Sequence, residues 1–375
     1  MNPDHTRGES DVATSADSYR LAALLNPRSL KRLGLIGVAI IAIAASFAGA
    51  GGWFSRDRLD RTRIIDEFEA ANGVHAGFRR VHAKGVCLVG EFESNGAGAQ
   101  YSKAGIFKPG RVPVFGRFAL ASGMPMVADG PSVVRSMALN FTLPDGEVWR
   151  TGMNNPAVFA VRDLQGFYDQ LVAMRPDPKT GKPDPAHVNA FLALHPETVR
   201  AQAIIRAHPF SSGFADATYN SLNAFRLVDQ DGRSKPVRWS MVPVDEFAPE
   251  PANPPDDKNY LFEALIARIQ RAPAQWHLVL TLGEPGDPTD DATLPWPEAR
   301  PRVDVGTLTV TRIDTEAAGN CRDFNFDPLV LPAGIAPSDD PVLSARSAAY
   351  PLSFTKRAGE AKTPSAVQVD VGAKP

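Results

Sequence analysis

Residues 112–151 read VPVFGRFALASGMPMVADGPSVVRSMALNFTLPDGEVWRT. Three short runs stand out in this stretch, at 112–119, 133–143 and 148–151. Each is apolar or alternates at a period of two, and turns rich in Gly, Pro and Asn separate them. Alternation at that period marks a strand, because successive side chains point to opposite faces. One step outward, residues 86–92 (VCLVGEF) repeat the pattern. A second strand group follows much later, at 225–228, 237–242, 276–282 and 305–313. The two groups predict an α+β fold: an antiparallel β-barrel core, closed or nearly so, with helices inserted between the groups.

Helical stretches are fewer. Residues 58–72 place Leu59, Ile64, Ile65 and Phe68 at helical spacing. Residues 159–174 carry an apolar stripe, 187–208 read as two helices split near Pro196, and 259–270 put Leu261, Leu265 and Ile269 on one face. Residues 344–356 read as a helix interrupted by Pro351. Residues 176–185 and 251–255 are proline-rich loops, 328–341 is irregular, and 358–375 is a loose tail. The 33 prolines in 375 residues are roughly 9%, against about 5% in ordinary usage. Proline lacks the amide proton and fixes φ, which argues against a helical bundle or a regular βα array. Forty basic against 42 acidic side chains leave no basic surface for nucleic acid. No GxGxxG, P-loop, HExxH or GxSxG motif is present.

Residues 1–32 are expected to be a disordered tail. Residues 33–54 carry no charge for 22 residues, and a bilayer span needs about 20. Trp53 sits at one end, as an interfacial anchor does. A cleaved signal is the alternative, with Ala48, Gly49 and Ala50 resembling a cleavage site. The polar flanks speak against a buried core helix. Arginines lie on both sides of the span, so they do not orient it. The size of the following domain points to an exported body outside the cytoplasmic membrane. In that oxidising space Cys87 and Cys321 can form a disulfide; a buried thiol at each position is the alternative. Two cysteines exclude a disulfide scaffold, a zinc ribbon and a multi-cysteine iron–sulfur site.

Four segments hold side chains suited to chemistry. Arg79, Arg80 and His82 precede an apolar strand. A lone histidine there is most often a hydrogen-bonded structural residue. Arg117 sits inside a strand, which is costly unless a partner neutralises it. Asn154 and Asn155 precede Pro156, where a turn is the plain reading. Arg346 and Tyr350 are four apart and share a helix face, and Arg357 follows.

Taken in order, these segments resemble the monofunctional haem catalase family. The resemblance runs from about residue 78 to 357. It rests on His82-Ala83-Lys84-Gly85, Arg117-Phe118, Asn154-Asn155, the run Phe159 to Asp163, His195-Pro196-Glu197, and Arg346 to Tyr350. It implies that His82 is the distal acid–base residue, that Asn154 orients peroxide, and that Tyr350 is the axial ligand of haem iron. It implies that Arg346 holds the phenolate and that Arg79, Arg117 and Arg357 clamp the haem propionates. Phe159 and Phe167 would be aromatics of the pocket. A free tyrosine ionises near pH 10, so a phenolate ligand needs nearby cations. No CxxCH attachment motif is present, and haem b is the cofactor implied.

Two positions depart from the family pattern. Ala119 stands where a serine usually supports the distal histidine, so His82 is expected to be less firmly oriented. Asn223 stands where a histidine usually supports the proximal arginine. The sequence ends soon after Arg357, without the C-terminal helical region of larger catalases, and a wider haem channel is expected. These features resemble the small catalase-related peroxidase branch. The implied activity is reduction of hydrogen peroxide or organic hydroperoxides through an oxoferryl intermediate, with an external organic electron donor and weak catalase activity. The alternatives are a true catalase, a lipid hydroperoxide isomerase or lyase, and a haem-binding or ligand-carrying barrel without turnover. The partners expected are peroxide, the donor and the membrane, with oligomerisation left open and no nucleic acid.

Overall fold

The computed structural model describes residues 27–50, 59–130, 133–316 and 320–368. The chain divides at residue 58 into two units. In the first, the described part is one helix, α1 (Pro27–Ala50). Its stretch Leu30–Phe47 is long and apolar enough to cross a membrane, and a signal sequence meets the same test. Trp53 and the rest of the expected span lie outside the described residues, as does the tail before residue 27.

Among its described residues the second unit holds ten strands in chain order. They are β1 (Gly85–Ser94), β2 (Gly110–Leu120), β3 (Arg135–Thr142), β4 (Val148–Asn154), β5 (Tyr219–Asn220), β6 (Phe225–Val228), β7 (Ser234–Pro243), β8 (Ala274–Leu282), β9 (Arg302–Asp314) and β10 (Ile335–Pro337). All pairings are antiparallel, in the order β10-β6-β7-β5-β4-β3-β2-β1-β9-β8, and β8 pairs back onto β7. That last pairing closes an eight-stranded barrel. It leaves β6 and β10 as an extension beside the first part of β7.

Side-chain parity fixes what lies inside. Val114, Phe118 and Leu120 of β2, Met137, Leu139 and Phe141 of β3, and Trp149 and Met153 of β4 join one core with Trp239 and Trp276. Phe141 stacks on Trp149 with centroids 4.9 Å apart, and Trp149 meets Trp239 edge-on at 5.1 Å. Each large ring withdrawn from water contributes about 1.5–3 kcal/mol. The barrel interior is therefore packed with aromatic side chains, which disfavours the reading of a barrel that carries a ligand inside. The other parity puts Arg117, Ala119, Ser136, Ala138, Gly152 and Asn154 on the outer face.

The helices are α2 (Arg61–Asn72), α3 (Leu164–Ala173), α4 (Pro185–Leu194), α5 (Pro196–Ala207), α6 (Tyr260–Arg271) and α7 (Pro341–Ala358). Of these, α2, α3 and α7 face the outer side of β2–β4, whereas α6 packs with the interior core. Asp60 caps α2 by accepting from the Thr62 and Arg63 amides. Leu261, Leu265 and Ile269 of α6 are buried on one face, as their spacing predicts.

Four expectations need correction. The stripe at 159–174 becomes helical only from Leu164, because Asp163 caps α3 by accepting from the Gly166 amide at 2.8 Å. The irregular stretch 328–341 contains β10. Pro351 does not interrupt α7, which runs on to Ala358. The helix starts on an Asp340 cap, and Lys356 pairs with Asp66 and Glu69 of α2, so capping and packing offset the one bond that proline removes. The tail from 358 packs as far as residue 368: Ser365 and Val367 are buried, and Arg322 Nη2 donates to the Thr363 carbonyl at 2.8 Å. Residues 369–375 lie outside the described residues.

Cys87 and Cys321 form a disulfide that joins β1 to a short turn, Cys321–Asp323, across 234 positions. Closing so long a loop removes much freedom from the unfolded chain, a stabilisation of roughly 3–5 kcal/mol. Replacing both cysteines by serine is expected to lower stability by about that amount, read from denaturant unfolding of the two proteins. Equal midpoints would remove the disulfide's structural role.

Candidate active site

The nine residues singled out from the sequence line one cavity. Its volume is about 530 Å³, and it lies between the outer face of β2–β4 and helices α2, α3 and α7. Ile64, Ile65 and Phe68 of α2 form part of an apolar wall. Phe159 and Phe167 continue it, with ring centroids 5.9 Å apart, and Phe68 meets Phe167 edge-on at 5.6 Å.

The segment 82–85 shows how four consecutive residues divide the work. His82 has φ 58°, a left-handed conformation that costs a non-glycine residue on the order of 1 kcal/mol or more. The Ala83 carbonyl accepts from Arg117 Nη2 at 3.3 Å. Lys84 is buried and pairs with Asp129 of the β2–β3 connection at 2.6 Å, and its Nζ also donates to the Lys258 carbonyl in the loop before α6. A side chain at Gly85 would strike Arg117 Nη2 at 2.5 Å, so the bare backbone gives that arginine passage.

His82 meets a hydroxyl. Ser136 Oγ lies 3.0 Å from His82 Nδ1 and 2.5 Å from Asn154 Oδ1. Ser136 stands directly opposite Ala119 in the β2–β3 register and opposite Asn154 in the β3–β4 register. The expectation that Ala119 leaves His82 less firmly oriented therefore fails: a hydroxyl arrives from the neighbouring strand. Burial, and then Arg117, Arg79 and Arg346, push the imidazole down to about 3, so the ring is neutral at physiological pH.

Arg346 and Tyr350 lie one turn apart on α7, both against the cavity. Arg346 Nη2 donates to the Gly152 carbonyl at 3.1 Å, and Nη1 donates to Asn223 Oδ1. Asn223 Nδ2 in turn donates to Asp340 Oδ2 at 2.7 Å. Asn223 thus meets the arginine from the position where the family pattern has a histidine, and Asp340 extends the chain of contacts. A Cβ built on Gly152 would sit 3.3 Å from Arg346 Nη2 and 3.6 Å from the Tyr350 hydroxyl. A side chain there would crowd the Arg346 guanidinium and only touch the phenol. Asn154 follows two residues later on the same face of β4, so one strand meets both the phenol and the amide.

Three arginines crowd one side. Arg117 pairs with buried Glu316 at 2.6 Å, and Arg357 lies 3.4 Å from Asp323. Arg79 Nη2 donates to the Cys321 carbonyl at 3.1 Å and to the Phe324 carbonyl. Arg79 Nε and Arg357 Nη2 are buried with no hydrogen-bond partner among the described residues. Burial pushes the Arg79 guanidinium well below its usual range, with Arg357 and Arg117 adding to the shift, and burial lowers Arg357 to about 10. Cations held this close, with donors unspent, fit an anionic ligand group. The cavity accordingly suits a large apolar body with an anionic edge and an oxygen ligand from Tyr350. Haem with its propionates meets all three requirements.

His195-Pro196-Glu197 lies elsewhere. His195 sits between α4 and α5, stacks on Phe191 at 4.5 Å and meets Glu197 Oε1 at 2.9 Å. It is a helix junction. Ser136, Glu316, Asp323 and Asp340 join the site without belonging to any of the sequence motifs. Strand register was the signal that points to Ser136.

A filled eight-stranded barrel that carries a cationic, tyrosine-bearing cavity on its outer wall defines a class of ligand site. A family model described as catalase matches residues 58–367, and the chain belongs to the catalase family. It is thereby a peroxide-acting oxidoreductase of the catalase superfamily, a haem-dependent group. The catalase-related peroxidase of Synechococcus elongatus is 37% identical over 330 residues, covering 86% of this chain and 96% of the relative. That of Mycolicibacterium paratuberculosis is 33% identical, covering 80% and 96%. Rat catalase is 29% identical, and the match covers 78% of this chain but 58% of the rat protein. Among solved structures, a fungal catalase superposes with a TM-score of 0.69 at 19% identity, covering 76% of this chain and 60% of its own. The chain thus spans about three fifths of the length of these larger catalases.

Proposed function

We propose that the chain is a haem b peroxidase that reduces hydrogen peroxide or organic hydroperoxides with electrons from an external organic donor. One observation carries this reading: nine residues scattered from position 79 to 357 line a single cavity on the outer wall of the barrel. The near full-length match to two proteins named catalase-related peroxidase supports the peroxidase branch over a full catalase. The overall reaction takes ROOH and a two-electron donor, DH2, to ROH, water and the oxidised donor D. Bound haem supplies the two-electron redox chemistry. Neutral His82 accepts a proton from one peroxide oxygen and returns it to the departing one. Asn154 donates a hydrogen bond to peroxide without changing charge. Tyr350 would hold the haem iron through its phenolic oxygen, Arg346 would stabilise that oxygen, and Arg79, Arg117 and Arg357 would hold the propionates. The apolar α1 and the Cys87–Cys321 disulfide support an anchored protein with its body on the oxidising side of the cell membrane.

The test is the full chain purified with haem available. A ferric Soret band at near one haem per chain, peroxide-dependent oxidation of a phenolic donor and little O2 release are expected. Vigorous O2 release with no donor oxidation would instead make it a catalase. No Soret band after reconstitution would remove the reading.

A further inference from the structure

Ser136 is buried on β3 and lines the cavity, between the two residues assigned to peroxide. A serine hydroxyl has one proton to give and lone pairs to accept with. Asn154 Oδ1 can only accept, so at 2.5 Å the Ser136 proton goes to it. The Ser136 oxygen is then left to accept, and at 3.0 Å it takes the Nδ1–H of His82. This single arrangement has two consequences. The His82 proton is fixed on Nδ1, which leaves Nε2 bare as the ring's acceptor. The Asn154 oxygen is engaged, which leaves its Nδ2 protons as the amide's contribution to the cavity.

We infer that Ser136 is a positioning residue that sets the His82 tautomer and the Asn154 amide orientation together, making one an acceptor and the other a donor toward peroxide. The inference deepens the peroxidase reading and rests on it for its consequence in the reaction. The reversed relay would run from Asn154 Nδ2 to Ser136 and from Ser136 to His82 Nδ1. His82 would then carry its proton on Nε2 and could not accept one from peroxide. The hydroxyl therefore couples two assignments that are independent in a site without it. Its place in the register, opposite Ala119 on one side and Asn154 on the other, lets a single side chain reach both.

The experiment compares the parent chain with Ser136→Ala and Ser136→Thr, the second retaining a hydroxyl. The tautomer is read first on the haem-free full chain with 15N-labelled histidine. The His82 signals are identified by their loss in His82→Asn. The parent is expected to show Nδ1 protonated and Nε2 bare. Ser136→Ala is expected to shift the ring toward Nε2–H or a mixture, and Ser136→Thr to restore the parent pattern. On the haem-loaded chain, Ser136→Ala is expected to keep its Soret band and haem content. Its rate with H2O2 should fall about 10- to 100-fold, the usual scale for a group that orients a reacting residue, with recovery in Ser136→Thr. Nε2–H in the parent, or an unchanged tautomer and rate in Ser136→Ala, overturns the inference. The tautomer result does not depend on haem. A chain that takes up no haem would sink the peroxidase reading and leave the Ser136 relay to stand or fall on the nitrogen signals.

Discussion

Replacing His82 by asparagine is expected to slow the reaction with hydrogen peroxide by about 10³-fold, within the range that a positioned acid–base residue contributes. Asparagine is chosen because it tolerates positive φ, and His82 sits at 58°. The backbone strain is then no worse than in the parent, and the loss reports the missing imidazole. About 10³-fold corresponds to roughly 4 kcal/mol in the barrier. Stopped-flow mixing of the haem-loaded protein with peroxide measures it. A variant that kept the full rate would remove His82 from the chemistry.

The same imidazole predicts a pH profile. Its pKa is pushed down to about 3, first by burial and then by Arg117, Arg79 and Arg346. The neutral form is the one that accepts a proton, so the rate is expected to hold on acidification well below pH 6.5, the ordinary midpoint of histidine. The sign for stability is opposite to that of a paired histidine. Below about pH 6.5 the unfolded chain takes up a proton that folded His82 refuses, so stability falls as pH drops through that window toward 3. A rate profile with its midpoint near 6.5 would contradict the environment described for the ring.

Tyr350→Phe is the second large effect. Phenylalanine keeps the ring packed on α7 and removes the only oxygen the helix offers at that point. Arg346 would keep Asn223 and the Gly152 carbonyl as partners but lose the phenol one turn away on α7. A haem bound there would lose the oxygen that holds its iron. Haem affinity is expected to fall by two to three decades, with a changed ferric spectrum and no measurable peroxidase turnover. Haem content after dialysis and the absorption spectrum check it, with circular dichroism as the control for folding. Tyr350→His, which supplies a different axial atom, should regain haem with a distinct spectrum. An unchanged spectrum in Tyr350→Phe would remove the ligand assignment.

Strands were readable where one face is buried. Alternation at Trp149 and Thr151 marks β4, and the strand runs on through Met153 to Asn154, beyond the expected end at 151. Pro351 misled, because local propensity says nothing of the capping and ion pairs that hold α7 straight through it. The nine site residues were legible through resemblance; Arg117 was also legible on physical grounds, as a cation inside a strand. Ser136 was hidden by distance along the chain. It stands 17 positions after Ala119, and only the hairpin register brings the two across from each other. Glu316, Asp323 and Asp340 lie outside the periodic stretches, where composition gives no sign of a partner. The cysteines left two readings open, and the pairing of β1 with the 321–323 turn decides between them.

The cavity is walled by β2–β4 on one side and by α7 on the other, and between them some 180 residues of chain go to build the rest of the barrel. During synthesis, the imidazole and amide are made long before the tyrosine that shares their cavity. On the proposed assignment, the haem site would be incomplete until Arg357 has left the ribosome and α7 has found the barrel wall. Prosthetic-group loading would then be a late event in the life of the molecule. The disulfide to Cys321 bears on that schedule, because it pins the turn that braces Arg79 and Arg357. An exported chain that met oxidant before it met haem would receive its guest into a site already drawn together.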